Sequence, residues 1–227
     1  MNVPEGKPKM KFSEIKFKRD GDYPWSEGKM ARIAFKDCEN RLTLDEDGYF
    51  YAAEDDEVDR PQKVIVTAYH EVAGKLVDHH RTAFEHFIEN ASAYETRLLK
   101  YLGDIAAENI KSALAVKSWR QELMLFLIGK GGLKSFIKKH SLDAPDGIKK
   151  QIVWTGLGLY DQGIDGVGLI TVDFHCGWDD EHGISVLMHK GKVLCHGGLA
   201  DYSNRGDSLL ETAKCDQSHC KGYDLKL

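Results

Sequence analysis

Four β-prone runs follow one another between residues 152 and 196, separated by short polar or glycine-bearing links, and this most narrows what the chain can fold into. The runs are Ile152 to Tyr160, Val167 to Cys176, Gly183 to His189 and Lys192 to His196. Runs of this length, rich in Val, Ile and aromatic residues and bounded by turn formers, read as successive strands. Lys190-Gly191 suits a two-residue hairpin turn between the last two. The stretch Asp161 to Gly166 reads as a polar connection between the first two. An antiparallel meander is therefore expected here.

The N-terminal part carries strand signals too. Arg41-Leu42-Thr43-Leu44 and Tyr49-Phe50-Tyr51-Ala52 flank Asp47-Gly48, and Asp-Gly is a strong hairpin signal because both positions tolerate positive φ. Ala31 to Phe35 and Lys63 to Ala68 are further strand candidates. The acids around the Asp-Gly turn, from Asp45 to Glu57, lack the alternating ligands of a calcium loop and read as a solvated turn. Between the two strand-rich parts the period changes. Phe84, Phe87, Ile88, Ala91, Tyr94, Leu98, Leu102, Ile105 and Ile110 recur every three or four residues. That spacing predicts one long amphipathic helix, or two with a break near Gly103. Trp119 to Leu127 and Leu133 to His140 suggest further helical pieces.

The fold class that follows is α+β: N-terminal β-hairpins, a helical middle layer and a C-terminal antiparallel β-meander. Residues 1–11 read as a loose leader, 12–203 as a single α+β domain with a candidate subdomain hinge near 143–147, and 204–227 as a C-terminal tail. A net charge of −5 argues against nucleic acid and anionic membrane as partners. No run reaches the roughly 20 apolar residues of a membrane span. Five scattered cysteines fit reduced thiols in a cytoplasm better than a disulfide framework.

Chemistry concentrates in Trp178-Asp179-Asp180-Glu181-His182-Gly183, expected as a loop between the second and third strands. In the leading reading the acids bond backbone amides or face a partner, and Trp178 plugs the end of the sheet. A metal held by Asp179, Glu181 and His182, or a general base at His182, are the alternatives. Alternation along the strands places Cys176 and Cys195 together on the apolar side. It places Asp173, His175, Ser185 and His196 in a polar patch opposite. A slip of one residue would reverse those facings. His70, His79 and His80 lack zincin spacing and read as a solvated strand end and helix start. Cys215, His219 and Cys220 could take up zinc with a fourth ligand such as His175 or His196. The tail lacks the second ligand pair usual for a structural zinc knuckle, so incidental thiols are the simpler reading, and no other cofactor is expected.

The run from Gly166 through Trp178-Asp179-Asp180-Glu181-His182-Gly183 to Val186 resembles a bacterial family of uncharacterised domains with a Trp-Asp-x-Glu-His-Gly hallmark. Pro24-Trp25 and Pro61-Gln62, followed by Phe84, Phe87 and Asn90, extend the likeness to residues 20–203. The resemblance implies a small cytoplasmic protein. It also implies, for members near toxin loci, an immunity role without an assigned reaction. The functional expectation is thus a soluble non-enzymatic binding module, of immunity type with a toxin as partner. The alternative is a metal-dependent hydrolase using the Trp-Asp-Asp-Glu-His-Gly segment.

Overall fold

A computed structural model describes residues 10–19, 21, 23–39, 42–44, 50–52, 62–70, 75–116, 138, 141, 144, 146–199 and 209. Among these, the strands are β1 (Lys18–Arg19), β2 (Trp25–Ala31), β3 (Leu42–Leu44), β4 (Phe50–Ala52) and β5 (Lys63–Tyr69). Helices α1 (Asp78–Glu89) and α2 (Ala91–Val116) follow. The chain then forms β6 (Ile152–Ile164), β7 (Val167–Cys176), β8 (Asp179–His189) and β9 (Lys192–Gly197). Short 3-10 turns occupy Phe12–Glu14 and Gly147–Lys150.

Seven strands form one sheet in the order β1-β2-β5-β6-β7-β8-β9, and β3 pairs antiparallel with β4 as expected, the Asp47-Gly48 turn between them lying outside the described residues. Every neighbour in the large sheet is antiparallel except β5 and β6, which run parallel, Ile65 opposite Gly156 and Tyr69 opposite Tyr160. A parallel pair cannot be joined by a tight turn. The helical segment fills that connection, so the middle of the chain is the crossover of a mixed sheet. The described helical layer is small, limited to α1 and α2.

One face of the sheet carries the main core. Val64, Val66, Leu157, Leu159, Val172, Phe174, Val186 and Met188 project from it, and Phe84, Phe87, Tyr94, Leu98 and Leu102 of the helices cover them. Phe87 and Phe35 both approach the Trp154 ring, at centroid distances of 5.7 and 5.5 Å. Trp154 keeps its indole N–H satisfied by donating to the Gly156 carbonyl at 2.8 Å. Burying rings of this size contributes about 1.5–3 kcal/mol each, so this face supplies most of the apolar stabilisation.

Several expected boundaries move. The strand expected at Ala31 to Phe35 lies earlier, at Trp25–Ala31, where Ser26, Gly28 and Met30 alternate inward with exposed Glu27 and Lys29. Small inward residues hid that alternation. Beyond it the chain turns, with Phe35 at φ 53 and the Arg32 guanidinium bonded to the carbonyls of Phe35 and Cys38. The helical break falls at Asn90, not Gly103. Asn90 leaves helical geometry, its side-chain amide donates to the His86 carbonyl at 2.9 Å, and its own carbonyl starts the next helix. Gly103 sits inside α2. The connection expected over 161–166 shrinks to Asp165-Gly166, both with positive φ, because β6 continues through a bulge to Ile164. Trp119 to Leu127, the acids from Asp45 to Asp47 and from Glu54 to Glu57, and most of Leu133 to His140 lie outside the described residues.

Candidate functional site

The hallmark segment is strand and tight turn rather than loop. Gly177-Trp178 forms the turn, Cys176 faces Asp179 across it, and β8 begins at Asp179. Between the Cys176–Asp179 and Phe174–Ile184 pairs, β8 carries four residues against one on β7, an irregular bulge. Gly183 ends it at φ 59, a conformation that side chains rarely adopt. A Cβ there would also press on the Phe174 carbonyl at 2.7 Å and on Leu199 at 2.9 Å. Leu199 N–H donates to the His182 carbonyl at 3.1 Å, tying the chain after β9 to the bulge. Trp178 is buried in the main core, where it closes the end of the sheet. His182 is exposed. Asp179, Asp180 and Glu181 lie on β8, and their side chains are outside the described residues.

The expected polar patch is divided by the register. Asp173 and Ser185 are opposite one another, and the Ser185 hydroxyl donates to Asp173 Oδ1 at 2.5 Å. His175 shares that face by alternation and is exposed. His196 does not join them. The Lys190-Gly191 turn forms with positive φ at both residues and pairs Met188 with Val193. Leu194 is then an extra residue, so that Leu187 meets Cys195 and Val186 meets His196. The bulge turns His196 to the helical side, where its Nδ1 lies 2.6 Å from the Tyr101 hydroxyl. It also turns Cys195 away from Cys176. Cys176 belongs to the main core, whereas Cys195 packs with Tyr160, Leu169, Leu187, Leu194 and Leu209 on the other face. The expectation that both thiols share one side is therefore corrected.

That second face is partly aromatic and partly bare. Tyr69 stacks on Tyr160 at 4.9 Å, Trp25 meets Tyr69 edge-on at 6.3 Å, and exposed Tyr23 stacks on Trp25 at 4.5 Å. Gly156 and Gly158 leave room for neighbours to lean over β6: a Cβ on the first would crowd Asp173, and one on the second Thr171 and Tyr69. Burial pushes the Asp173 carboxyl up to about 6, against hydrogen bonds from Ser185 and Thr171 that favour its charged form. Burial, then the charges of Asp173 and Glu27, also raise the Tyr69 phenol.

Toward the β1 edge the same face opens into a groove of about 600 Å³. Its lining is Glu14, Lys16, Lys18, Arg19, Glu27, Gly28, Lys29 and Ile65. Lys16, Lys18, Glu27 and Lys29 are exposed, and Ile65 stays 43% exposed. Sequence reading did not single these residues out. The signal was the alternation in Lys16-Phe17-Lys18 and Glu27-Gly28-Lys29, which sets charges on one face and apolar or small residues on the other.

The histidines near α1 are not solvated as expected. His70 and His80 are both buried, their rings 5.3 Å apart and edge-on. His80 Nδ1 accepts from the Val77 amide at 3.0 Å while its Nε2–H donates to the Tyr69 carbonyl at 2.7 Å, which fixes the neutral ring. His70 Nε2 lies 3.0 Å from Ser26 Oγ. Desolvation lowers both imidazoles. His79 Nδ1 donates to the Asp161 carbonyl at 2.6 Å, anchoring the start of α1 to β6. Among the described residues no three His, Cys, Asp or Glu side chains converge as metal ligands. Cys215, His219 and Cys220 lie outside the described residues.

Fold and site together define a mixed α+β protein whose sheet is covered by helices on one face and, among the described residues, left open at the β1–β2–β5 end of the other. The chain belongs to the family described as a domain of unknown function, DUF6985, whose model matches residues 12–203. No match was found among curated proteins or among solved structures. Among the described residues, no helix is long and apolar enough to cross a membrane.

Proposed function

We propose that this protein is a non-enzymatic binding module whose working surface is the open β1–β2–β5 end of the sheet. The observation that carries this reading is the groove of about 600 Å³, where exposed Ile65 lies beside Lys16, Lys18 and Lys29. Concave surfaces that mix an apolar anchor with charged rims are the usual form of protein recognition sites. Trp25, at the other end of β2 from Lys29, stacks with Tyr23 just before the strand, and the pair offers a second anchor of the type enriched in binding hot spots.

The specific role we propose is of immunity type, in which the module occupies a toxin and blocks it. The resemblance of the hallmark segment supports that role. A cytoplasmic setting goes with it, since Cys38, Cys176 and Cys195 are buried thiols outside any disulfide. The Cys38 thiol is pushed up to about 12 by burial, which suits an inert packing residue.

Affinity capture with the wild-type chain and with a K16E/K29E variant tests the surface. The expected result is a stoichiometric protein partner retained by the wild type and lost by the variant, with unchanged melting. Equal retention by both rejects the groove. Loss on Asp179→Ala or Glu181→Ala instead, with the groove variant still binding, would move the working surface to the hallmark corner.

A further inference from the structure

The groove is cationic on a chain that is anionic as a whole. Lys16, Lys18, Arg19 and Lys29 line it against Glu14 and Glu27, an excess of two positive charges where the full chain carries −5. The Glu14 carboxylate accepts the Lys11 backbone N–H at 3.2 Å, which orients it at the 3-10 turn and leaves its charge in place. Glu27 lies directly across from Lys18 in the β1–β2 register. Lys29 lies across from Ile65 in the β2–β5 register, not from an acid.

From this we infer that the groove binds an acidic, extended peptide segment of a protein partner. The inference rests on the binding-module reading and gives that surface its chemistry. Lys16 precedes β1 and Lys18 begins it, and in extended chain every second side chain recurs on one face about every 7 Å. An extended peptide with carboxylates at alternate positions presents charge at the same interval. Ile65, 43% exposed between Lys29 and the Gly156 trough, supplies apolar contact for an aliphatic side chain among those carboxylates. A nucleic-acid strand is the less suitable polyanion. Its phosphates would meet Glu27 in the groove and a net negative protein around it, and it has no aliphatic group for Ile65.

Fluorescence anisotropy with the full chain tests this. The probes are a short labelled peptide alternating Glu with Val, the same peptide with Lys for Glu, and a single-stranded oligonucleotide. The Glu–Val peptide should bind in a salt-sensitive manner and the Lys peptide should not. K16E/K29E should weaken the Glu–Val peptide by about tenfold or more, while K138E, at an exposed position elsewhere, should leave it unchanged. Ile65→Ala should weaken it several-fold and leave an all-Glu peptide unaffected. Circular dichroism melting of each variant guards against unfolding. Two results would overturn the inference: Glu–Val binding that survives K16E/K29E, or an oligonucleotide that binds as tightly and is lost with the same substitutions. If the captured natural partner depends on Lys16 and Lys29 while the Glu–Val peptide fails to bind, the groove stands as a working surface. Only its assignment to an acidic segment then falls.

Discussion

The two faces of the large sheet are built from the same strands yet solve different problems. The helix-covered face buries Trp154, Phe174, Phe84, Phe87 and Leu98 completely or nearly so, in one continuous core. The other face carries a small cluster around Tyr160, Leu187 and Leu209, then a half-buried carboxyl at Asp173, then an open charged groove. The comparison teaches where sequence changes register as stability and where they are free to register as recognition. On the first face a lost ring leaves a cavity. On the second, at its β1–β2–β5 end, the described side chains are already exposed.

The largest test of that contrast is Trp178→Ala. Trp178 is 7% exposed and closes the core at the β7–β8 turn, so the substitution should cost about 3–5 kcal/mol in denaturant unfolding. A loss under 1 kcal/mol would show that the corner does not belong to the covered face. Next comes Asp173. Its folded-state pKa is raised from 3.8 to about 6, so the folded protein holds a proton that the unfolded chain has given up. Stability should therefore fall as pH rises from about 4 to 6, by at most about 3 kcal/mol. Asp173→Asn should flatten that slope in pH-dependent melting.

His80 works in the opposite sense on the helical side. Its folded-state pKa is lowered, so the unfolded chain takes up the proton more readily, and stability should fall as pH drops below the ordinary imidazole range. His80→Phe should remove this acid loss while Asp173→Asn leaves it in place. If both substitutions act on the same limb, the two faces do not titrate independently. The smallest effects belong to the groove, where K16E or Ile65→Ala should move stability by no more than about 0.5 kcal/mol.

Much of the ribbon was legible from residues alone. The limits of β7, the Lys190-Gly191 turn and the Asp-Gly hairpin strands follow from period and turn chemistry, which act over a few neighbours. The facing of Cys195 and His196 was not legible. It depends on whether Leu194 is an extra residue, and no propensity distinguishes Val-Leu-Cys-His with a bulge from the same letters without one. The break at Asn90 was missed for a related reason. Asparagine capping competes with a glycine that looks more disruptive, and Gly103 is tolerated inside α2 because tertiary packing outweighs its propensity. The parallel meeting of β5 and β6 has no local signature, since it is decided by what lies between them. The burial of His70 and His80 was equally hidden: each imidazole reads as polar until Ser26, Val77 and Tyr69 are brought to it by the fold.

That parallel seam has a consequence for how the molecule assembles. The hairpins from β6 to β9 join chain neighbours and can zip early, at little loop-closure cost. The strand β5 joins the ribbon along the pairs from Ile65–Gly156 to Tyr69–Tyr160, after the whole helical crossover has been drawn in. On contact order the seam is the expected late step of folding, and pulling or denaturant is expected to part it first, separating the cationic groove from the hallmark corner.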